Sequence, residues 1–256
     1  MVATVELRDG RALGYEEWGL RDGYPVFGFG GTPQSGLDGL EPESASIAGV
    51  RLVIVDRPGY GRSHFQPDRT LLDWPTDVAE VADALEVDRF AVFGMSGGGP
   101  HAAACAYTLE ERVSALGLVS SPGPVWDRPQ LRFSLPVHRQ PLVDVAARDP
   151  AAAARILLED CRRRLADEPW PGDGTRPSAE GYARDLFILF VSPWGFAPEQ
   201  ISVPTLIWHG DRDPAVPLAV AEFFDRTIPE SSLRVLPGEG HLLFNAHADE
   251  ILAALR

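Results

Sequence analysis

"RFAVFGMSGGGPHAAACAY", residues 89–107, decides how this chain is read. It opens with strand-forming residues, closes with small helix formers, and between them sets one serine, Ser96, among four glycines. A plain surface turn seldom needs so many glycines, because each loses more conformational freedom on folding than any other residue. Gly94-Met95-Ser96-Gly97-Gly98 matches G-x-S-x-G, in which the serine occupies a sharp, strained turn from strand to helix. The small flanking residues let neighbouring backbones approach, so the hydroxyl projects into the crevice at the carboxyl ends of the strands. The helix amino terminus behind it favours negative charge developing beside the serine. A Gly/Ser loop can match five loose positions by chance, and it is the strand before and the helix after that give the match its weight.

The chain around this turn reads as alternating strands and helices. "TVELRDG" and "ALGYEEWG" alternate apolar and polar residues about an Asp-Gly turn, the pattern of an antiparallel hairpin. Short apolar runs follow at 24–31, 51–56, 89–94, 113–120, 204–210 and 232–238, as expected of strands buried on both faces. Helices are expected at 73–86, 97–109 and 217–228 and in the closing "HLLFNAHADEILAALR". This order predicts a mostly parallel, doubly wound sheet of eight strands with an antiparallel amino-terminal hairpin and helices on both faces. Only the stretch after the sixth strand breaks the rhythm. It is rich in proline and aromatics, with one long alanine-rich helix expected over 142–166, and is too long for a loop. Residues 1–121 and 201–256 are therefore read as a core domain, and 122–200 as an inserted helical lid.

Composition removes several classes of function. The 256 residues are 45% hydrophobic, enough for a sizeable core, and no run approaches the roughly 18 apolar residues of a membrane span. All 23 basic residues are arginine, against 37 acidic ones, for a net charge of −14. That field repels nucleic acid and anionic bilayers, and the absence of lysine removes Schiff-base and P-loop chemistry. Cys105 and Cys161, far apart, do not suggest a disulfide framework. "MVATVELRDG" has neither a basic start nor an apolar stretch, so cytoplasm is the expected compartment. A small-molecule partner and a monomer or homodimer are expected.

A serine hydroxyl needs a base to take its proton, and the base needs an acid to fix its tautomer. "HGDRDPAVP" after the strand at 204–208 offers Asp211 and Asp213, and "PGEGHLLF" after the strand at 232–236 offers His241. Ser96, Asp213, His241 is the Ser…Asp…His order associated with such sheets.

With these residues in place the chain resembles the α/β-hydrolase fold superfamily, in its serine-nucleophile, esterase-like branch, over nearly its whole length. "DRPGYGRS" (56–63) is similar to the family's D-x-x-G-x-G-x-S turn after the fourth strand, and "GDRDPAVP" to its acid-bearing segment. The resemblance assigns Asp213 as the acid, leaves Asp211 as a loop residue and makes Asp56 structural. It implies an oxyanion hole formed by the backbone N–H groups of Gly97 and Thr32. In "GFGGTPQSG", however, Gly30 stands where the family usually carries a bracing histidine.

The other histidines have plainer readings. His101, five residues past Ser96, is turned away and suits packing or a hydrogen bond. His209 suits a supporting position, and His64, His138 and His247 show no partner pattern. No metal site or cofactor is expected. Trp126, Phe133, Trp170, Tyr182, Phe187, Phe190, Trp194 and Phe196 are expected to form the lid's core and one apolar pocket wall. Gly31, Met95, Trp126, Phe187, Trp194 and Leu242 are taken as substrate contacts. Arg162, Arg163 and Arg164 read as a solvated helix face.

The expected function is a serine hydrolase that cleaves a carboxylic ester, lactone or thioester of a small, largely apolar substrate through an acyl-enzyme. Epoxide hydrolases and haloalkane dehalogenases use an aspartate where Ser96 stands. Carbon–carbon bond hydrolases commonly carry tryptophan after the base, where Leu242 stands. Proline iminopeptidase-like enzymes carry it after the serine, where Gly97 stands. A cofactor-free lyase, cyclase or perhydrolase, or a ligand-binding receptor, remains open on the same fold.

Overall fold

Five of the eight strands are largely apolar runs with little exposed surface, and burying both faces of such strands requires a layer of helices on each side. A computed structural model, describing residues 2–36, 42–167 and 177–256, shows that arrangement. The sheet has eight strands in the order β1-β2-β4-β3-β5-β6-β7-β8. β1 (Val2–Glu6) and β2 (Ala12–Gly19) form the antiparallel hairpin, and β2 also runs antiparallel to β4 (Val50–Val55). β3 (Tyr24–Phe29), β5 (Phe90–Met95), β6 (Val113–Val119), β7 (Thr205–Gly210) and β8 (Ser231–Leu236) join β4 in parallel.

Two apolar layers cover this sheet. One packs Trp74, Val78 and Val81 of α2 (Trp74–Ala84), Ala102 to Ala106 of α3 (Gly99–Thr108) and Val220, Ala221 and Phe224 of α7 (Leu218–Thr227) against Phe27, Val53, Val92 and Leu116. The other packs Ala45 of α1 (Pro42–Ile47) and Phe244, Ile251 and Leu252 of α8 (Phe244–Ala254) against Leu52, Ile54 and Phe93. The outermost strand differs from the sequence expectation. β8 is a sheet edge and alternates partly buried with exposed residues, because only one of its flanks is paired.

The excursion between β6 and β7 carries α4 (Gln140–Arg148), α5 (Pro150–Asp167) and α6 (Ala179–Phe190). The single helix expected over 142–166 is two helices. Pro150 disfavours helical backbone in the residue before it, and Asp149 accordingly leaves the helical region at φ −146°, its carboxylate accepting from the Ala152 N–H at 2.9 Å to open α5. α6 was not anticipated. Its start is marked by Ser178, whose hydroxyl accepts from the Gly181 N–H at 2.9 Å. These helices share a third cluster, including Leu131, Val143, Leu157, Cys161, Tyr182 and Leu186, so the excursion has an apolar core of its own. Trp170 lies outside the described residues. Cys105 and Cys161 are both buried and unpaired, and no helix among the described residues is long and apolar enough to cross a membrane.

The strand-to-helix turn after β5 sets how closely the layers approach. A side chain at Gly94 would place its Cβ 2.1 Å from the Gly98 carbonyl oxygen, and one at Gly98 would meet the Phe29 carbonyl at 2.1 Å. Gly94→Ala should therefore force backbone apart and lower stability by about 1–3 kcal/mol. Gly240→Ala, with open space around the new methyl, should stay within about 0.5 kcal/mol. Urea denaturation of the two variants beside the parent checks the contrast.

Candidate active site

Four strands end at one rim of the sheet, and the side chains that follow them converge. Ser96 follows β5 in a left-handed conformation with φ +50°, a strained geometry for a residue with a Cβ. His241 follows β8, and its Nε2 lies 2.9 Å from Ser96 Oγ. Asp213 follows β7, and its Oδ2 lies 2.8 Å from His241 Nδ1. Ser96, Asp213 and His241 are thus connected in a line across 145 residues of sequence. With Nδ1 donating to the carboxylate, Nε2 faces the hydroxyl as a proton acceptor.

Asp213 is built to stay ionised. Burial alone would raise its pKa, but the His241 bond and the backbone N–H groups of Val216 and Ala215, donating to Oδ1 at 2.9 and 2.8 Å, outweigh this and hold it below the usual carboxylate range. Asp211 is engaged elsewhere, accepting from the Gly238 N–H at 2.7 Å. His209 is fully buried, sits 3.5 Å from Asp213 Oδ2 and donates to the Val216 carbonyl at 2.8 Å. Burial lowers its pKa, so it supports the Asp213 loop as a neutral ring.

The loop after β3 brings Gly31 and Thr32 against the serine. A Cβ on Gly97 would lie 3.1 Å from the Thr32 nitrogen, so the backbones of Thr32 and Gly97 flank Ser96 at close range. At Gly30 a side chain is excluded altogether, since its Cβ would fall 2.0 Å from the Gly36 carbonyl oxygen. The brace that a histidine there would supply comes instead from Arg57, a residue to which the sequence reading gave no role. Its Nη1 donates to the Gly30 carbonyl at 2.5 Å, and its Nη2 to the Gly31 carbonyl at 3.1 Å and to Thr32 Oγ1 at 3.3 Å. Its Nε donates to Asp185 of α6 at 2.8 Å, with both side chains almost completely buried.

Asp185 is the hub of this network. It also accepts from Arg69 and from Thr32 Oγ1, and lies 3.8 Å from His101 Nε2. Burial would raise its pKa, but Arg57 and Arg69 reverse the effect and keep it well below the usual range. A lone acid on the apolar face of "GYARDLFILF" was the available signal. His101 Nδ1 donates to the Gly97 carbonyl at 3.0 Å, so this ring touches the backbone beside the serine from behind. Its pKa is pushed down to about 3, first by burial and then by the two arginines. Asp56 also accepts within its turn, from the Arg62 N–H at 3.4 Å, and burial raises it to about 6.

A cavity of about 320 Å³ opens over Ser96 and His241. Its floor includes Thr32, Gly97, Pro122, Ala215 and Val216, while Ser134, Leu135, Pro136, Arg139, Tyr182, Leu186 and Phe190 of the excursion form the facing wall. The six expected substrate contacts are not in this wall. Trp194 is buried between Phe196 and Phe224, and Trp126 packs on the excursion's own core. Phe187 lines a separate groove, Met95 is buried in the core, and Leu242 is exposed beside His241. Gly31 approaches Ser96 but carries no side chain to offer. Sequence patterns could not tell which face of α6 looks toward the cavity. Among the described residues no cluster of three His, Cys, Asp or Glu side chains suits a metal.

Comparison with known proteins agrees with this fold. The family model described as alpha/beta hydrolase fold matches residues 28–248. A proline iminopeptidase of Xylella fastidiosa is 29% identical over 92% of this chain and 89% of its own. A pimeloyl-[acyl-carrier protein] methyl ester esterase of Legionella pneumophila is 28% identical over 78% of this chain and 80% of its own. A bromoperoxidase structure from Bacillus anthracis superposes with a TM-score of 0.73 at 23% identity, covering 100% of this chain and 98% of that one.

The buried imidazole has a measurable consequence. Between about 6.5 and 3 the unfolded chain binds a proton at His101 that the folded chain refuses, so its contribution to stability is complete above that window and drains as pH falls through it. Asp56 acts with the opposite sign between 3.8 and about 6, where the folded chain keeps a proton that the unfolded chain releases. The His101 effect is therefore read by difference. Urea midpoints taken from pH 7.5 to 4.5 should fall less steeply in His101→Gln than in the parent.

Proposed function

The chain belongs to the alpha/beta hydrolase fold family, matched over residues 28–248, and from that premise we propose that it is a serine hydrolase cleaving a carboxylic ester of a small molecule. The observation that carries the proposal is the continuous Ser96–His241–Asp213 hydrogen-bond line, with contacts of 2.9 and 2.8 Å, at the floor of a cavity. Ser96 Oγ attacks the ester carbonyl carbon as His241 Nε2 takes its proton, and Asp213 steadies the imidazolium that results. The N–H groups of Thr32 and Gly97 receive the carbonyl oxygen as it becomes an oxyanion. Collapse of that intermediate expels the alcohol, which takes the proton from His241 and leaves Ser96 acylated. A water deprotonated by His241 then attacks the acyl carbon, and the acid departs as Ser96 regains its proton. Every proton transfer is supplied by these side chains, so the route calls on no cofactor.

Residues 122–200 act in this reading as a lid, because their wall over Ser96 is largely apolar and limits water beside the reacting carbonyl. An ester is favoured over a peptide with a free amino terminus by the charges in the cavity. Its described lining carries Arg139 and His241 but no carboxylate to receive an ammonium group. A neutral or anionic small molecule met in the cytoplasm, by a monomer or homodimer, fits this lining best.

The test is turnover of short p-nitrophenyl esters with detection of a pre-steady-state burst. Ser96→Ala should abolish both burst and turnover. Asp213→Asn should reduce kcat by about 10⁴-fold, as the corresponding change does in Ser-His-Asp proteases, while Asp211→Asn should leave it within a few-fold. Undiminished turnover in Ser96→Ala, or a larger loss from Asp211→Asn than from Asp213→Asn, would reject the assignment.

A further inference from the structure

Arg139 is the charged side chain in the cavity's described lining, besides His241, and the reaction does not use it. It stands just before α4, in the wall that the excursion contributes with Ser134, Leu135, Pro136, Tyr182, Leu186 and Phe190. Arg139 is half-buried, and the part of its guanidinium that lies beside such residues is costly to desolvate unless a carboxylate or several acceptors compensate it. Three other arginines of the excursion meet carboxylates closely: Arg132 meets Asp144 at 2.9 Å, Arg162 meets Glu180 at 2.9 Å and Arg164 meets Asp160 at 2.9 Å. Arg139 has no carboxylate partner among the described residues, and its Nε is buried without any acceptor. In a chain with 37 acidic residues, an arginine at a cavity wall with no carboxylate partner among the described residues keeps donors available to an anion.

Two neighbours fit that role. The Tyr182 phenol, also in the wall, accepts a side-chain hydrogen bond from Arg139, and the cation lowers its pKa against the larger raising effect of burial. Ser134 adds a hydroxyl that at present donates to the Leu131 carbonyl at 2.7 Å. The cavity therefore combines a polar, positively charged group on the excursion with the reacting Ser96 and His241 of the core, among otherwise largely apolar residues. A planar guanidinium matches a carboxylate with two parallel N–H donors.

We infer that the substrate carries a carboxylate at the end remote from its ester, and that Arg139 binds it across the cavity from Ser96. The inference rests on the ester-hydrolase reading for what happens at Ser96, but not for what binds at Arg139. The volume of about 320 Å³ is near the lower limit for small-molecule pockets, so the substrate class is the monoester of a short dicarboxylic acid, or a lactone bearing a carboxylate. Hydrolysis of such a monoester would release a dicarboxylate, and the charged end fixes which carbonyl reaches the serine.

The experiment compares the monomethyl esters of succinate, glutarate and adipate with their neutral terminal-amide isosteres, following acid release at constant pH. Wild type should prefer the carboxylate form of the best-fitting length. Arg139→Gln should lower the ratio of kcat/KM for carboxylate over amide by roughly 10- to 100-fold, chiefly through KM, and Arg139→Lys should restore part of it. Far-ultraviolet circular dichroism and urea midpoints of both variants establish that they are folded. A wild-type preference for the amide, or a ratio unmoved by Arg139→Gln, would overturn the inference while leaving the hydrolase reading intact. If wild type hydrolyses none of the six compounds, calorimetric titration of the same monoesters decides the point independently. Binding lost in Arg139→Gln upholds the carboxylate site, and equal or absent binding in wild type and variant removes it.

Discussion

The ion pair between Arg57 and Asp185 ties together the two halves of this molecule that must meet at the serine. Arg57 follows the core strand β4, Asp185 belongs to helix α6 of the excursion, and neither side chain has appreciable contact with solvent. Charges are not buried in this way for stability, because the desolvation cost, several kcal/mol for each ion, can cancel their attraction. What such a pair enforces is position. Asp185 is satisfied only with Arg57 and Arg69 both in place, and Arg57 in turn spends its remaining donors on the carbonyls of Gly30 and Gly31. The seat of α6 and the path of the loop after β3 are consequently one variable. A shift of the helix would have to strip an acceptor from a buried guanidinium or move the loop that flanks Ser96.

The same logic explains why a histidine at position 30 is dispensable. A side chain there is sterically impossible, since the Gly36 carbonyl occupies the place of its Cβ. The loop still needs its outward carbonyls held, and a guanidinium reaching up from the adjacent strand end does so with two donors in a fixed fork. On the other flank His101 grips the Gly97 carbonyl, and Asp185 lies between the two supports, 3.8 Å from the imidazole. Strain at Ser96, of order 1–3 kcal/mol for a left-handed non-glycine residue, is tolerated because both sides of the turn are anchored to buried groups.

How much of this was legible in the sequence follows from the range of the interactions concerned. Strand runs and most core helices were visible because their patterns are local, and so was the Ser96, Asp213, His241 order, because each residue closes a recognisable strand. The break at Asp149–Pro150 was also local and was missed when an alanine-rich stretch was allowed to outweigh the proline. Helix α6 was hidden for a different reason. Its aromatics were read as a general apolar mass, although Tyr182, Leu186 and Phe190, spaced at four residues, lie along one line of the helix that faces the cavity. Arg57, Asp185 and Arg139 were out of reach, since each acquires its meaning from a partner or a void more than 40 residues away. Trp194 illustrates the converse error. Its size suggested a pocket wall, but its indole donates to the Leu189 carbonyl at 3.1 Å and is closed off among Phe196 and Phe224.

The charge distribution gives the last step. A chain with net charge −14 repels anions at long range, yet the cavity over Ser96 presents a cation and no carboxylate among its described lining. These two facts act over different distances. Beyond roughly 8–10 Å, salt screens the overall negative field, whereas a half-buried guanidinium in a largely apolar wall acts in a medium of lower dielectric than water, where its attraction for a nearby anion is stronger. The surface therefore discourages indiscriminate binding of polyanions while the interior rewards a single, well-placed negative group. The wall that supplies this cation is carried by the excursion whose helix α6 is fixed by Asp185, so the buried pair that steadies the serine's surroundings also holds the opposite side of the cavity in register with them.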